Sequence, residues 1–363
     1  MTRIRELTAS DIPQVADVHR EAMATGSAMT PALLEKYREW LTSVFLENPM
    51  RVDGVESLVY EDGGEILGFM GVVPRQVSLG GRVYRAAAGS NFCVRPGRRG
   101  RIGMQMAREY LARSGDLAFI DQLVDRTRPI WDHLGMVAMP QSVRWTLPLR
   151  PLQHVLSLVG PRLPAPLTAV ARPVATALDR VATGVRRSPF KYDAPALAAE
   201  DLTGESLSRL LQEFGTERHL RPVTSDGSAA WLVERARRLT KHGELQLVAL
   251  RDEREVLGWY VYHANPGQPS EVLQLVSTPR ASSQVLDHLA GHARARGVVS
   301  LTGALDLGFL SALSNRWAVL SPAPRPTRWL LVHSGRPEIL EAFWRGQVLL
   351  SRLDGEWCQQ LGR

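Results

Sequence analysis

The chain has 363 residues, of which 44% are hydrophobic and 22% charged, a balance that fits two ordinary globular domains and no membrane-spanning segment, since no apolar run approaches the ~20 residues a bilayer requires. The formal charge is +7 and the isoelectric point about 9.8, yet lysine occurs only at Lys36, Lys191 and Lys241. An arginine- and alanine-rich composition of this kind suggests a high-GC bacterial source. No long basic run with interleaved aromatics marks a nucleic-acid binder, so the surplus reads as a solvated surface bias or as a share in holding an anionic ligand. The two cysteines, Cys93 and Cys358, are far apart and lack metal-ligand spacing, which argues against a disulfide framework and a metal site. The first residues carry two arginines but lead into a polar stretch, so a cytoplasmic protein is expected.

In chain order, residues 4–7 read as a short strand, and Thr8-Ala9-Ser10-Asp11 has the form of a capping box before a helix carrying Ile12, Val15 and Val18. A second helix starts at Thr30-Pro31 and runs through Leu34, Tyr37, Leu41 and Phe45. Residues 57–60, the turn Asp62-Gly63-Gly64 and residues 66–73 form an expected hairpin. Further strand signals flank Gly80-Gly81, and a strand over residues 89–94 breaks at Arg95-Pro96-Gly97 into a basic loop and a helix over 104–113. A strand at 117–123, a helix near 129–134 ending at Gly135, and a strand at 143–147 would complete the order β-α-α-β-β-β-α-β-α-β.

Residues 150–189 differ in texture: prolines at 161, 164, 166 and 173 punctuate helical stretches, and we expect a helical linker. The later half repeats part of the plan. Leu247-Val248-Ala249-Leu250 and Glu255-Val256-Leu257-Gly258-Trp259 echo Leu58-Val59-Tyr60-Glu61 and Glu65-Ile66-Leu67-Gly68-Phe69. A strand at 272–276, a helix at 282–296 closed by Gly297, and a strand at 298–301 follow, as duplication would give.

The segment Cys93-Val94-Arg95-Pro96-Gly97-Arg98-Arg99-Gly100-Arg101-Ile102-Gly103-Met104 joins an expected strand to an expected helix. The first turn of a helix offers unpaired N–H groups and the positive end of its dipole, and glycines let a phosphate approach closely. The run Val94-Arg95-Pro96 followed by Arg99-Gly100-Arg101 resembles motif A of the GNAT acyltransferases, and Trp131-Asp132-His133-Leu134-Gly135-Met136 resembles the helix of that family ending in Y-x-x-x-G-F. The loop departs from the usual R-G-x-G-x-G/A form at Ile102 and Met104, and Trp131 replaces the tyrosine; an indole cannot donate a proton to a thiolate, so a packing role is expected for it.

The resemblance implies an α/β (α+β) fold with two GNAT-like domains, each a mixed, mostly antiparallel sheet flanked by helices. The first, over residues 1–149, would bind acetyl-CoA or another acyl-CoA through residues 93–95 and 98–104. The second, over 190–363, is a degenerate copy without a phosphate loop, since Ser277-Thr278-Pro279-Arg280-Ala281 fills that junction. Amine acylation needs positioning, removal of a proton and stabilisation of an oxyanion. Asp121, the one carboxylate within its strand, is the candidate base or substrate anchor, and Asn91 the group that orients a water; Asp125 reads as a helix cap. In the second half Tyr260, Tyr262 and Glu271 could line a pocket for a small-molecule amine, or stand in a packed sheet. Two alternatives stay open: a FemXAB-like transferase using aminoacyl-tRNA, in which the arginines would contact tRNA, and a non-catalytic ligand-binding protein on the same scaffold.

Overall fold

The computed structural model describes residues 2–22, 30–184, 188, 190, 192, 195–214, 219–253, 255–322, 328–356 and 360. In chain order the elements are β1 (Thr2–Glu6), α1 (Ile12–Ala22), α2 (Pro31–Phe45), β2 (Leu58–Asp62), β3 (Glu65–Leu79), β4 (Arg82–Val94), α3 (Arg101–Arg113), β5 (Leu117–Val124), α4 (Arg128–His133), β6 (Val137–Ala138), β7 (Val143–Pro148), α5 (Pro151–Val159) and α6 (Ala165–Gly184). There follow β8 (Ala198–Asp201), α7 (Gly204–Glu213), β9 (Arg221–Pro222), α8 (Asp226–Arg237), β10 (Glu244–Asp252), β11 (Glu255–Ala264), β12 (Pro269–Ser277), α9 (Ser282–Ala295), β13 (Ser300–Ala304), α10 (Leu310–Asn315), β14 (Val319–Pro322), β15 (Arg328–His333) and α11 (Pro337–Trp344). The chain divides into two compact units, one of Met1–Ser142, Gly204–Arg235 and Arg325–Leu361, the other of Val143–Thr203, Ala236–Pro324 and Gly362–Arg363.

The first unit holds a sheet in the order β1-β2-β3-β4-β5-β15-β6, with β9 beside β3. All its pairs are antiparallel except β4 and β5. Thr8 closes the capping box as its sequence suggests: its N–H and hydroxyl both donate to Asp11 Oδ2, at 2.8 and 2.7 Å. The Thr30 hydroxyl accepts from Leu33 N–H at 3.3 Å, with Pro31 in the first turn of α2. These caps place α1 and α2 over one face, where Val15, Val18, Tyr37, Leu41 and Val44 share a core with Phe69, Val73 and Val77 of β3. On the other face Met106, Ala107 and Tyr110 of α3 and Trp131 of α4 pack with Leu58, Met70 and Ile120. Buried on both faces, β3 reads as a nearly continuous apolar run.

The second unit holds a sheet in the order β14-β7-β13-β12-β11-β10-β8, again antiparallel except for one pair, β12 and β13. Its hairpin β10–β11, strand β12, helix α9 and parallel strand β13 follow the order of β2–β3, β4, α3 and β5. The detail repeats too: Arg95 N–H donates to Leu67 O at 2.9 Å, and Thr278 N–H donates to Leu257 O at 2.8 Å. Gly68 and Gly258 stand one residue after these carbonyls, and at each a Cβ would clash, 2.5 Å from Met106 Sδ and 2.2 Å from Val276 O respectively.

Two placements differ from the sequence reading. Strand β7, expected to close the first sheet, pairs with β13 and β14 of the second, and β15, from the end of the chain, pairs with β5 and β6 of the first. The compact units accordingly draw on discontinuous stretches, where the pattern suggested contiguous ones. An amphipathic strand specifies which face is buried but not which edge it joins. Residues 150–184 are helical as expected, forming α5 and α6.

Candidate active site

The site begins at a fork in the first sheet. Strands β4 and β5 pair in parallel only from Ala86 to Ala88 against Leu117 to Phe119. At the last rungs the buried Tyr110 hydroxyl donates to Ala87 O at 2.9 Å and Phe119 O at 3.3 Å. Gly89 makes room for it, since a Cβ there would stand 3.0 Å from the Tyr110 oxygen and 2.7 Å from Met70 Cε. Burial pushes the Tyr110 phenol well above its ordinary pKa, so it acts as a strut and not as an acid.

Past the fork β4 carries a bulge. Phe69 pairs with Cys93 and Gly71 with Ser90, so Asn91 and Phe92 together face Met70 alone. Asn91 sits in the left-handed region at φ 53°, a conformation that asparagine tolerates better than most residues. The bulge frees its N–H from the sheet ladder, and that N–H donates to Glu356 Oε1 at 3.1 Å. Its side chain is held twice: Nδ2 donates to Ser90 Oγ at 2.6 Å, and Oδ1 lies 3.0 Å from His19 Nε2. With Oδ1 an acceptor, His19 carries its proton on Nε2, and its Nδ1 accepts from the Tyr37 hydroxyl. Burial pulls the His19 pKa down to about 4, against the opposing effect of its Asn91 hydrogen bond, so the ring is neutral at pH 7.

On the other arm of the fork, Asp121 Oδ1 accepts from the Glu356 N–H at 2.6 Å. Gly355 lies directly on that carboxylate: a Cβ at 355 would be 2.4 Å from Asp121 Cγ and Oδ2. The preceding turn is pinned by Asp354, whose Oδ2 accepts from Ser351 N–H at 2.9 Å; burial raises its pKa, and nearby Arg75 opposes the rise. The two candidates named from sequence, Asn91 and Asp121, thus meet through a third residue. Glu356, His19 and Tyr37 were missed because each is brought in by long-range packing. The sequence signal for Glu356 was its flanking Asp354-Gly355 turn; Trp357 and Cys358 lie outside the described residues.

The loop from β4 to α3 places its parts differently. Cys93, Val94, Ile102 and Gly103 are buried, and burial pushes the Cys93 thiol up to about 12, so it is no nucleophile. Ile102 turns inward to the Met106 and Tyr110 cluster, which explains an apolar residue where a small one was expected. Arg95 is engaged by Glu65 and by Glu21 at 3.7 Å. Arg98, Arg99 and Arg101 are exposed, with Arg99 Nη2 reaching Ala22 O at 3.2 Å. Gly97 and Gly100 take φ of 82° and 90° with open space where a Cβ would be. Helix α3 bonds first from Met104 N–H to Gly100 O at 2.9 Å, which leaves the N–H groups of Arg101, Ile102 and Gly103 without intrahelical partners. Open glycines, unpaired amides and three exposed guanidinium groups suit a pyrophosphate.

Residues 3–115 match the model of an acetyltransferase (GNAT) domain. Over those residues the chain is similar to a GNAT domain. Among solved structures it is similar to the GCN5-related N-acetyltransferase from Kribbella flavida, at 16% identity and a TM-score of 0.57, over 92% of this chain and 71% of that one. It is similar to the GCN5-related N-acetyltransferase from Anabaena variabilis, at 12% identity and a TM-score of 0.57, over 92% and 73%. It is also similar to Eis1 from Mycobacterium abscessus, at 15% identity and a TM-score of 0.51, over 92% and 74%. At these identities the likeness is one of fold. The search of curated proteins gave no match. The GNAT domain supports acyl transfer as the general activity, and the fork, bulge and loop above lie within it or adjoin it.

The remaining candidates are placed in other ways. Trp131 of α4 is fully buried and meets Phe92 and Tyr110 edge to face, with centroids 5.5 and 5.7 Å away; it packs. The Asp125 carboxylate accepts from Trp329 Nε1 at 2.7 Å, while Thr127 and not Asp125 precedes the first turn of α4. In the second unit Tyr260 and Tyr262 are fully buried, their hydroxyls 2.9 Å from His288 Nδ1 and His292 Nδ1. Glu271 pairs with Arg144 at 2.6 Å, both largely buried. The structure brings Tyr260 and Tyr262 into sheet-to-helix contacts and Glu271 into a strand-to-strand one. Among the described residues no cluster of three or more His, Cys, Asp or Glu suits a metal ion, and no helix is long and apolar enough to cross a membrane.

Proposed function

We propose that this protein is an acyl-CoA-dependent N-acyltransferase acting on the amine of a small molecule in the cytoplasm, with its chemistry at the fork between β4 and β5. One observation carries the reading: the bulge at Asn91 turns a backbone N–H out of the sheet, and that N–H already holds a carboxylate oxygen, that of Glu356. A donor that holds an anionic oxygen there suits the oxyanion that forms when an amine attacks a thioester carbonyl. The pyrophosphate would rest on the amides of 101–103 and the guanidinium groups of Arg98, Arg99 and Arg101, which places the acyl group along β4 towards Asn91.

In this reading the incoming acyl oxygen replaces Glu356 Oε1 on the Asn91 N–H. The displaced carboxylate, its residue still tethered by the backbone N–H to Asp121, takes the proton from the attacking amine nitrogen as the N–C bond forms. The C–S bond then breaks and the pair leaves on sulfur as a thiolate, whose ordinary pKa near 8.5 lets it depart without a proton donor. That accords with Trp131 standing in place of a tyrosine. Asp121, proposed from sequence as base, becomes the anchor of the base. His19 and Tyr37 position Asn91. The second unit we take to be a degenerate copy of the same fold, without a phosphate loop.

The test is Glu356→Gln. A general base contributes roughly 10²–10⁴-fold, so turnover of an accepted amine, read as release of free thiol from acetyl-CoA, falls by that factor while acetyl-CoA affinity is kept. Unchanged turnover in the variant would remove Glu356 from the chemistry.

A further inference from the structure

Helix α3 carries its charge against its dipole. The N-terminal end of a helix favours carboxylates and disfavours cations, yet residues 96–108 include four arginines, Arg98, Arg99, Arg101 and Arg108, and no Asp or Glu. All four are exposed. Arg99 reaches a backbone carbonyl, that of Ala22 at 3.2 Å, and among the described residues none of the four forms an ion pair. The arginines on either side are neutralised in the ordinary way, Arg95 by Glu65 and Glu21, and Arg113 by Glu109 one helical turn away. Arg108 has no such neighbour: one turn away on either side stand Met104, Gln105, Leu111 and Ala112.

Arg101 and Arg108 share a face of α3. Seven residues return to within about 20° of the starting direction, and Ile102, Gly103, Met106, Ala107 and Tyr110 form the buried side of the helix, so both arginines stand on its outer side. The rise from one to the other is about 10.5 Å. Because a helical side chain covers the turn before its own Cα, Arg108 extends the row of guanidinium groups that begins at the mouth of the helix.

That row exceeds what a diphosphate needs. The bridge carries one negative charge on each phosphorus, and the amides of 101–103 with the three arginines around them already answer it. Coenzyme A has a second phosphate, on the 3′-oxygen of its ribose, one sugar ring away from the bridge. As a monoester it carries about −1.5 to −2 at pH 7, and a guanidinium fork fits it by two parallel hydrogen bonds. Resting on the acyl-CoA reading above, we propose that Arg108 binds the 3′-phosphate, so that the protein selects CoA thioesters over those of 3′-dephospho-CoA.

The experiment is calorimetric titration of the full chain with CoA and with 3′-dephospho-CoA, at neutral pH and low salt, where exposed charges are least screened. It is run on wild type, Arg108→Gln and Arg101→Gln. Glutamine keeps the helix propensity of arginine and Arg108 is exposed, so the variant without ligand unfolds at the wild-type Tm. We expect wild type to bind CoA about tenfold more tightly than 3′-dephospho-CoA, the effect of one charge-assisted contact. In Arg108→Gln the preference falls to about one, with affinity for 3′-dephospho-CoA unchanged. Arg101→Gln, at the diphosphate, weakens both nucleotides and keeps the preference. Equal affinity of wild type for the two nucleotides would overturn the proposal and leave the acyl-CoA reading standing, as would a preference that survives in Arg108→Gln. Binding of neither nucleotide would overturn both.

Discussion

Gly355→Ala puts one methyl group where the fork is tightest. The added carbon would stand 2.4 to 2.5 Å from three atoms of the Asp121 carboxylate, so the segment must retreat by about 1 Å to reach ordinary contact. The retreat breaks the 2.6 Å bond from Glu356 N–H to Asp121. A hydrogen bond to a charged group is worth roughly 1.5–3 kcal/mol and overpacking costs roughly 1–3 kcal/mol, so the expected loss of stability is about 2.5–6 kcal/mol, a fall in Tm of roughly 5–20 °C. A 1 Å displacement of a reacting group costs about 10²-fold in rate, and kcat is expected to fall by that order. Thermal unfolding needs no known acceptor and comes first; thiol release with a panel of amines follows. An Asp121→Ala background removes the clash, so the two costs are expected not to add. Wild-type Tm and kcat in Gly355→Ala, or simple additivity in the double variant, would refute the contact and the role drawn from it.

Trp131→Ala is expected to cost about 3–5 kcal/mol in urea unfolding, because the ring is fully enclosed; a cost under 1 kcal/mol would contradict a packing role. Stability is also expected to fall with acid. Burial lowers His19, His263 and His292 to about 4, so the unfolded chain binds protons between about pH 6.5 and 4 that the folded chain does not. Their contribution is complete above about pH 6.5 and is lost progressively towards pH 4, by up to about 3 kcal/mol each for His19 and His263 and by less for the half-buried His292, which solvent screens. Urea midpoints that stay level from pH 7 to 5 would count against these neutral, buried rings.

Much of the first unit was legible because its signals are local. The capping box at Thr8–Asp11, the Thr30-Pro31 start, the Asp62-Gly63-Gly64 turn and the arginine-glycine loop each show within a few residues. The likeness of Leu67-Gly68 to Leu257-Gly258 is visible for the same reason, and at both glycines an added Cβ would meet a neighbouring atom, Met106 Sδ at 2.5 Å and Val276 O at 2.2 Å. What the sequence withheld is decided at long range. Nothing near Val143 says that β7 joins β13, nor near Trp329 that β15 joins β5. Asp121 and Asn91 were found as polar residues on strands beside the loop, but the carboxylate between them comes from 235 residues beyond Asp121. Tyr260 and Tyr262 looked like pocket residues because alternation on a strand does not tell a cavity from a helix packed over it, and histidines of α9 meet their hydroxyls. Glu271 pairs with Arg144 of β7.

The central claim is that acyl-CoA binds on the loop before α3 and along the fork, and thermal unfolding with saturating acetyl-CoA, beside a Gly100→Asp variant, tests it most directly. A ligand at 100 times its Kd stabilises the native state by about 2.7 kcal/mol, so wild type should gain several degrees in Tm. The variant, with a carboxylate at the mouth of the helix, should gain none, whatever its starting Tm. No gain in wild type with acetyl-CoA, with longer acyl-CoAs or with free CoA would contradict the account.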